Sequence, residues 1–141
     1  MNNKANTSSM GRRLMVILLL AVIIAGVWFM FLRSNEIGKE EISEMIVGEW
    51  LRSEGPYTIK IIEVQDEGKM KVEYYNPGLI HIGRSGWRLK EGELQLYVEL
   101  QDENYPGSIY ELTYDEEKDR LSGTYFQAVA RQTYNVEFNK K

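Results

Sequence analysis

Residues 14–32, LMVILLLAVIIAGVWFMFL, constrain this chain more than any other stretch. The run carries no charge, and the sequence on both sides is polar or mixed. As a helix it would span roughly 28 Å, close to the hydrocarbon thickness of a bilayer. A helix in a water-soluble domain buries one stripe and has no need to be apolar all round. The run therefore predicts a transmembrane helix over 14–32, with the lipid bilayer as its partner. Lys4, Arg12 and Arg13 precede it without an acid, whereas Arg33 and Lys39 follow beside Glu36, Glu40 and Glu41. That bias predicts a cytoplasmic tail at 1–13 and an extracytoplasmic remainder, the arrangement of a single-pass signal-anchor protein. A cleaved secretory signal is the rival. It calls for a shorter core and a small-residue exit, and this run ends in Trp28-Phe29-Met30-Phe31-Leu32.

The net charge of −4 conceals a split. Residues 1–33 hold basic residues and no acid, which leaves 13 basic against 21 acidic residues, a charge of −8, for the remainder. Nucleic acid is excluded as a partner, because phosphate affinity needs clustered Lys and Arg. The absence of cysteine excludes disulfides, thiolate metal sites and a cysteine-linked lipid. Stability must come from packing in one small domain.

Residues 33–47 read as a linker with a short helix. Ser34 or Asn35 is placed to cap it, and Ile37, Ile42, Met45 and Ile46 approximate one apolar face. From Gly48 the period changes to two. Lys69–Tyr74, Glu93–Leu100 and Thr133–Phe138 alternate cleanly, which predicts strands with one buried face. Tyr57–Val64 slips parity between Ile61 and Ile62, as a bulge would require. Leu79–Leu89, Ser108–Tyr114, Arg120–Phe126 and a short Glu49–Ser53 complete the set. Turn signals separate them: Asp66-Glu67-Gly68, Asn76-Pro77-Gly78, Lys90-Glu91-Gly92, Pro106-Gly107 and Asp115–Asp119. The expected fold over 48–141 is all-β, an eight-stranded antiparallel meander closed into a barrel, with a two-sheet sandwich as the alternative. Closure is favoured over an open sheet because it removes exposed strand edges.

At Gly48-Glu49-Trp50 the chain resembles the lipocalin-like (calycin) barrels. Those begin with Gly-x-Trp after a short helix, and an arginine from late in the chain packs over the indole. The resemblance implies structural roles for Gly48 and Trp50, with Arg131 as the late partner. It also implies a ligand-binding barrel. The phrasing of Glu99–Tyr114 is similar to small exported bacterial proteins, a likeness that carries no chemistry.

The residues with chemistry to offer are few. Gly78–Ser85 mimics a phosphate-binding loop, but Arg84 stands where the motif needs lysine and no helix follows, so the match is a coincidence. His81, the only histidine, cannot build a zinc site without carboxylate help. Glu99, Asp102 and Glu103 cluster where a strand ends, before Asn104-Tyr105-Pro106-Gly107. Their spacing is not that of a calcium loop, and a carboxylate pair at Glu99 and Asp102 would suit glycoside hydrolysis. Neither a metal nor a cofactor is implied. Tyr74, Tyr110, Tyr114 and Tyr134 fall on buried faces, where they either fill the barrel or line a small pocket. The leading expectation is a binding module for a small ligand or an envelope partner. Asn76, His81, Glu99, Asp102, Tyr105 and Tyr110 are its candidate ligand residues. A filled structural scaffold is the second expectation, and a hydrolase using Glu99 and Asp102 the third.

Overall fold

The computed structural model describes residues 13, 15–17, 21–24, 26 and 38–141. The chain forms two compact units, 1–37 and 38–141. In the first, the described residues are helical and their side chains are exposed. Among the described residues no helix is long and apolar enough to cross a membrane. Much of the expected span at 14–32 lies outside the described residues, as do the proposed caps Ser34 and Asn35.

The second unit opens with helix α1 (Lys39–Ile46), which follows Gly38 directly and ends where Val47 N–H reaches Ser43 O at 3.0 Å. Glu40 and Glu41 in its first turn complement the helix dipole. Ile42 and Ile46, four residues apart and so on one face, are fully buried. Nine strands follow: β1 (Gly48–Arg52), β2 (Thr58–Val64), β3 (Met70–Asn76), β4 (Gly78–Ile80), β5 (Ile82–Lys90), β6 (Glu93–Leu100), β7 (Ser108–Asp115), β8 (Arg120–Gln127) and β9 (Gln132–Lys140). All pairings are antiparallel, in the order β4-β3-β2-β1-β9-β8-β7-β6-β5. The first and last strands are therefore neighbours in the wall.

The strand count is nine where the alternation predicts eight. Leu79–Leu89 divides at His81 because its two halves serve different neighbours. β4 folds back on the end of β3 for three residues, and β5 pairs along the whole of β6. His81 lies outside both strands, its carbonyl accepting from Gln101 N at 2.9 Å. The expected bulge in β2 is present, with the register shifting between Ile61 and Glu63.

The sheet curls until its far edges meet, giving a nearly closed barrel. Lys69 bridges Gly86, Trp87 N–H donates to Gly68 O at 2.8 Å, and Ser85 Oγ donates to Met70 O at 2.7 Å. Gly86 makes that approach possible, since a Cβ there would stand 2.6 Å from Gly68 O. The interior is packed with Trp50, Ile59, Ile61, Val98, Leu100, Leu121, Val136 and Phe138, all fully or almost fully buried.

One end of the barrel is sealed. The Trp50 indole is wholly buried, its Nε1–H donates to Ile46 O at 2.8 Å, and its ring meets Tyr114 edge-on with centroids 6.0 Å apart. The cation over it is Lys140. Its Nζ lies 5.2 Å from the ring centre and donates to Met45 O at 2.8 Å, tying β9 to α1. Arg131 does not play this part. It is exposed in the β8–β9 turn at φ 53°, at the opposite end of β9 from Lys140, roughly 30 Å along an extended strand. Register decides the matter, because Trp50 pairs directly with Lys140. Gly48 has its own constraint: its φ of 145° suits glycine, and a Cβ would come within 3.3 Å of the Lys140 stem.

Candidate functional site

The opposite end is not sealed. A cavity of about 290 Å³ opens there, and the ends of several strands deliver polar side chains into it. Tyr74 and Asn76 come from the end of β3, Tyr110 from the start of β7, Tyr125 and Gln127 from the end of β8, and Tyr134 from the start of β9. Tyr57 precedes β2, and Tyr105 sits in the β6–β7 loop. Arg52 ends β1, two residues beyond Trp50, so the alternation that buries the indole also brings this guanidinium inside.

The rings form a connected set. Tyr110 stacks on Tyr125 with centroids 4.4 Å apart, and meets Phe138 edge-on at 5.5 Å. Tyr125 and Tyr134 lie nearly parallel, at 24° and 6.4 Å. The Tyr74 and Tyr110 hydroxyls share a hydrogen bond of 2.9 Å at the cavity floor. Burial disfavours their phenolates: it pushes Tyr110 up to about 12 and raises Tyr74 as well, with Tyr110 next to it adding to the effect. Both hydroxyls are therefore neutral donors and acceptors at physiological pH.

Arg52 is the sole charge among the lining residues. Its guanidinium carbon lies 5.0 Å from the Tyr57 ring centre and 5.9 Å from that of Tyr125. Its Nε donates to Glu54 at 2.9 Å. Burial is the largest single influence and opposes its charge, but Glu54 and Tyr110 together outweigh it and leave the pKa raised. The β6–β7 loop forms a rigid lip. Tyr105 N–H reaches Asp102 O at 2.8 Å, Gly107 N–H reaches Leu100 O at 3.0 Å, and Gly107 adopts φ 77°. From that lip the Tyr105 hydroxyl accepts from Asn76 Nδ2 across the mouth.

The residues singled out from sequence fall in three places. Asn76, Tyr105 and Tyr110 meet in the tyrosine cavity. His81 and Asp102 lie together at the seam between β3 and β5, where His81 N stands 3.5 Å from Asp102 Oδ2 and a second hollow of about 430 Å³ also touches Val72 and Ile80. Glu99 is on the outer wall, its Oε2 accepting from Arg84 Nε at 2.7 Å. Arg52, Tyr57, Tyr125 and Gln127 are site residues that inspection of motifs missed. Parity along the strands was the signal for Arg52.

One further hollow lacks such convergence. A depression of about 340 Å³ runs over β5–β7, where Arg88 Nε donates to Gln95 Oε1 at 2.9 Å. Among the described residues no group of His, Asp or Glu is arranged to hold a metal ion. The tyrosine cavity can offer hydroxyl and amide hydrogen bonds, aromatic faces and one fixed positive charge. No protein-family model matches the chain, and neither a curated protein nor a solved structure shows significant similarity to it.

Proposed function

We propose that this chain is a membrane-tethered, extracytoplasmic binding module whose barrel mouth takes a small polar ligand. The observation that carries the reading is the tyrosine cavity, where polar groups from separate strands converge on a recess open at one end. A preformed concave site with a few placed polar groups on a rigid frame is what small-molecule binding requires. Its volume belongs at the small end of ordinary ligand sites, which run roughly from 300 to 1,000 Å³. The short helix before Gly48-Glu49-Trp50, and a cation over the indole, support a lipocalin-like plan in which Lys140 takes the expected arginine's place. The tether is the apolar run 14–32, and the basic pair Arg12-Arg13 favours a cytoplasmic N-terminus.

A filled scaffold is the second reading, favoured by the complete burial of Tyr74 and Tyr110 beneath the mouth. Small polar organic compounds titrated against the full chain in detergent separate the two. Tyrosine ring NMR signals report binding, and shifts concentrated on Tyr57, Tyr105 and Tyr125 are expected. An absence of shifts across the compound set would reduce the barrel to a scaffold.

A further inference from the structure

We propose that the mouth selects small, flat organic monoanions, with the ligand's carboxylate on Arg52 and its body against the tyrosine rings. This rests on the binding reading above. Charge comes first. The cavity is lined by phenols, amides and one guanidinium, with no carboxylate among them. Glu54 takes only the Nε–H, and its own side chain is about half exposed, which places that ion pair on the solvent side. Arg52 lines the recess together with Tyr110, and its guanidinium carbon lies over the Tyr57 and Tyr125 rings. A guanidinium presents its N–H groups as a planar fork that matches a carboxylate.

Position comes next. The Arg52 side chain is only 13% exposed and lies against the Tyr57 and Tyr125 rings, so little side-chain freedom is lost when a ligand docks. Residues 34–141 as a whole, Arg52 included, carry a net charge of −8 and provide no long-range attraction for anions. Discrimination must therefore lie in this one cation. With a single cation in the lining, a second negative group on the ligand would go uncompensated. The flat body follows from the rings: Tyr125 and Tyr134 present nearly parallel faces at the rim.

The test uses the full chain in detergent and three probes of one shape: benzoate, benzamide and benzylamine. Calorimetry should show benzoate binding at least about tenfold more tightly than benzamide, as a charge-assisted pair requires. Arg52→Gln should abolish that difference, and Arg52→Lys should keep part of it. Acetate and inorganic phosphate, which lack the flat body, should bind more weakly than benzoate. If benzamide or benzylamine matches benzoate in the unaltered protein, the anion assignment fails while the cavity remains a binding site. If phosphate equals benzoate, the organic carboxylate is the wrong class. Binding of none of the probes would overturn both this inference and the reading beneath it. The comparison within the unaltered protein stands even if Arg52→Gln misfolds.

Discussion

At one end of the barrel Trp50 is covered by α1 and by the Lys140 stem, while at the other Arg52 stands two residues further along the same strand in an open recess. The strands that frame both ends obey one alternation, so the difference arises from what lies beyond them. The sealed end has a helix whose last carbonyls accept from the indole and the lysine. The open end has only turns and the β6–β7 loop, whose Tyr105 reaches Asn76 across the mouth but leaves the recess open. Polar side chains that would be costly in a dry core are tolerated there because water and one another satisfy them. The packed seal and the proposed binding recess thus lie at opposite ends of one set of strands.

The largest effect is expected from breaking the sealed end. Trp50→Ala should cost roughly 3–5 kcal/mol in denaturant unfolding of the full chain, as for other buried aromatic truncations. Affinity for a mouth ligand should be unchanged below the transition. Equal losses in stability and affinity would mean that the two ends are not separate.

Alkaline pH should act on the open end next. Tyr110 has a folded pKa raised to about 12 by burial, against an ordinary value of 10.0. A raised pKa means that the folded state holds its proton after the unfolded chain has released it. The associated stability is therefore intact below pH 10 and is lost as pH climbs from 10 towards 12, by about 1.4 kcal/mol per pH unit from this group. Tyr110→Phe should remove this group's share of the slope and leave that of Tyr74, which burial also raises. An unchanged slope would place the sensitive phenol elsewhere.

The smallest effect sharpens the comparison at the two ends of β9. Lys140→Met should cost about 1 kcal/mol, through the lost cation–π contact and the bond to Met45 O. Arg131→Ala, in an exposed turn, should stay within about 0.5 kcal/mol. Thermal melts of the two variants side by side decide it, and the reverse order would restore Arg131 as the partner of Trp50.

Much of this fold was legible because its strands are half-buried and say so in every second residue. Lys69–Tyr74 and Glu93–Leu100 could hardly be anything else. The break at His81 was not legible, since it depends on which strand each half of Leu79–Leu89 finds as a neighbour. The candidate site was half legible. Asn76, Tyr105 and Tyr110 were within reach as polar groups at strand ends. Glu99 and Asp102, three residues apart in sequence, diverge to the outer wall and the seam because one alternates outward within β6 and the other lies in the loop beyond its end. The resemblance asks for a late arginine and so points to Arg131, although parity counted from Phe138 already turns Lys140 inward. The meeting of Tyr110 with Tyr125 depends on β7–β8 register, which no local pattern encodes.

The ring of strands is closed at two places, and the two close on different clocks. The seam joins residues as near as 15 apart, as in Ser85 with Met70, whereas the β1–β9 join brings together residues such as Ser53 and Asn139, which are 86 apart. A flexible loop that much longer costs about 1.5 kcal/mol more entropy to close. The hairpins from β5 to β9 can zip up from local contacts, and β1 must then find the free edge of β9 across most of the domain. The indole and its lysine, which lie on those two strands, are thus united by the slow join. Until that join forms the strands make a trough, and the meeting of the first strand with the last is what turns the trough into a vessel.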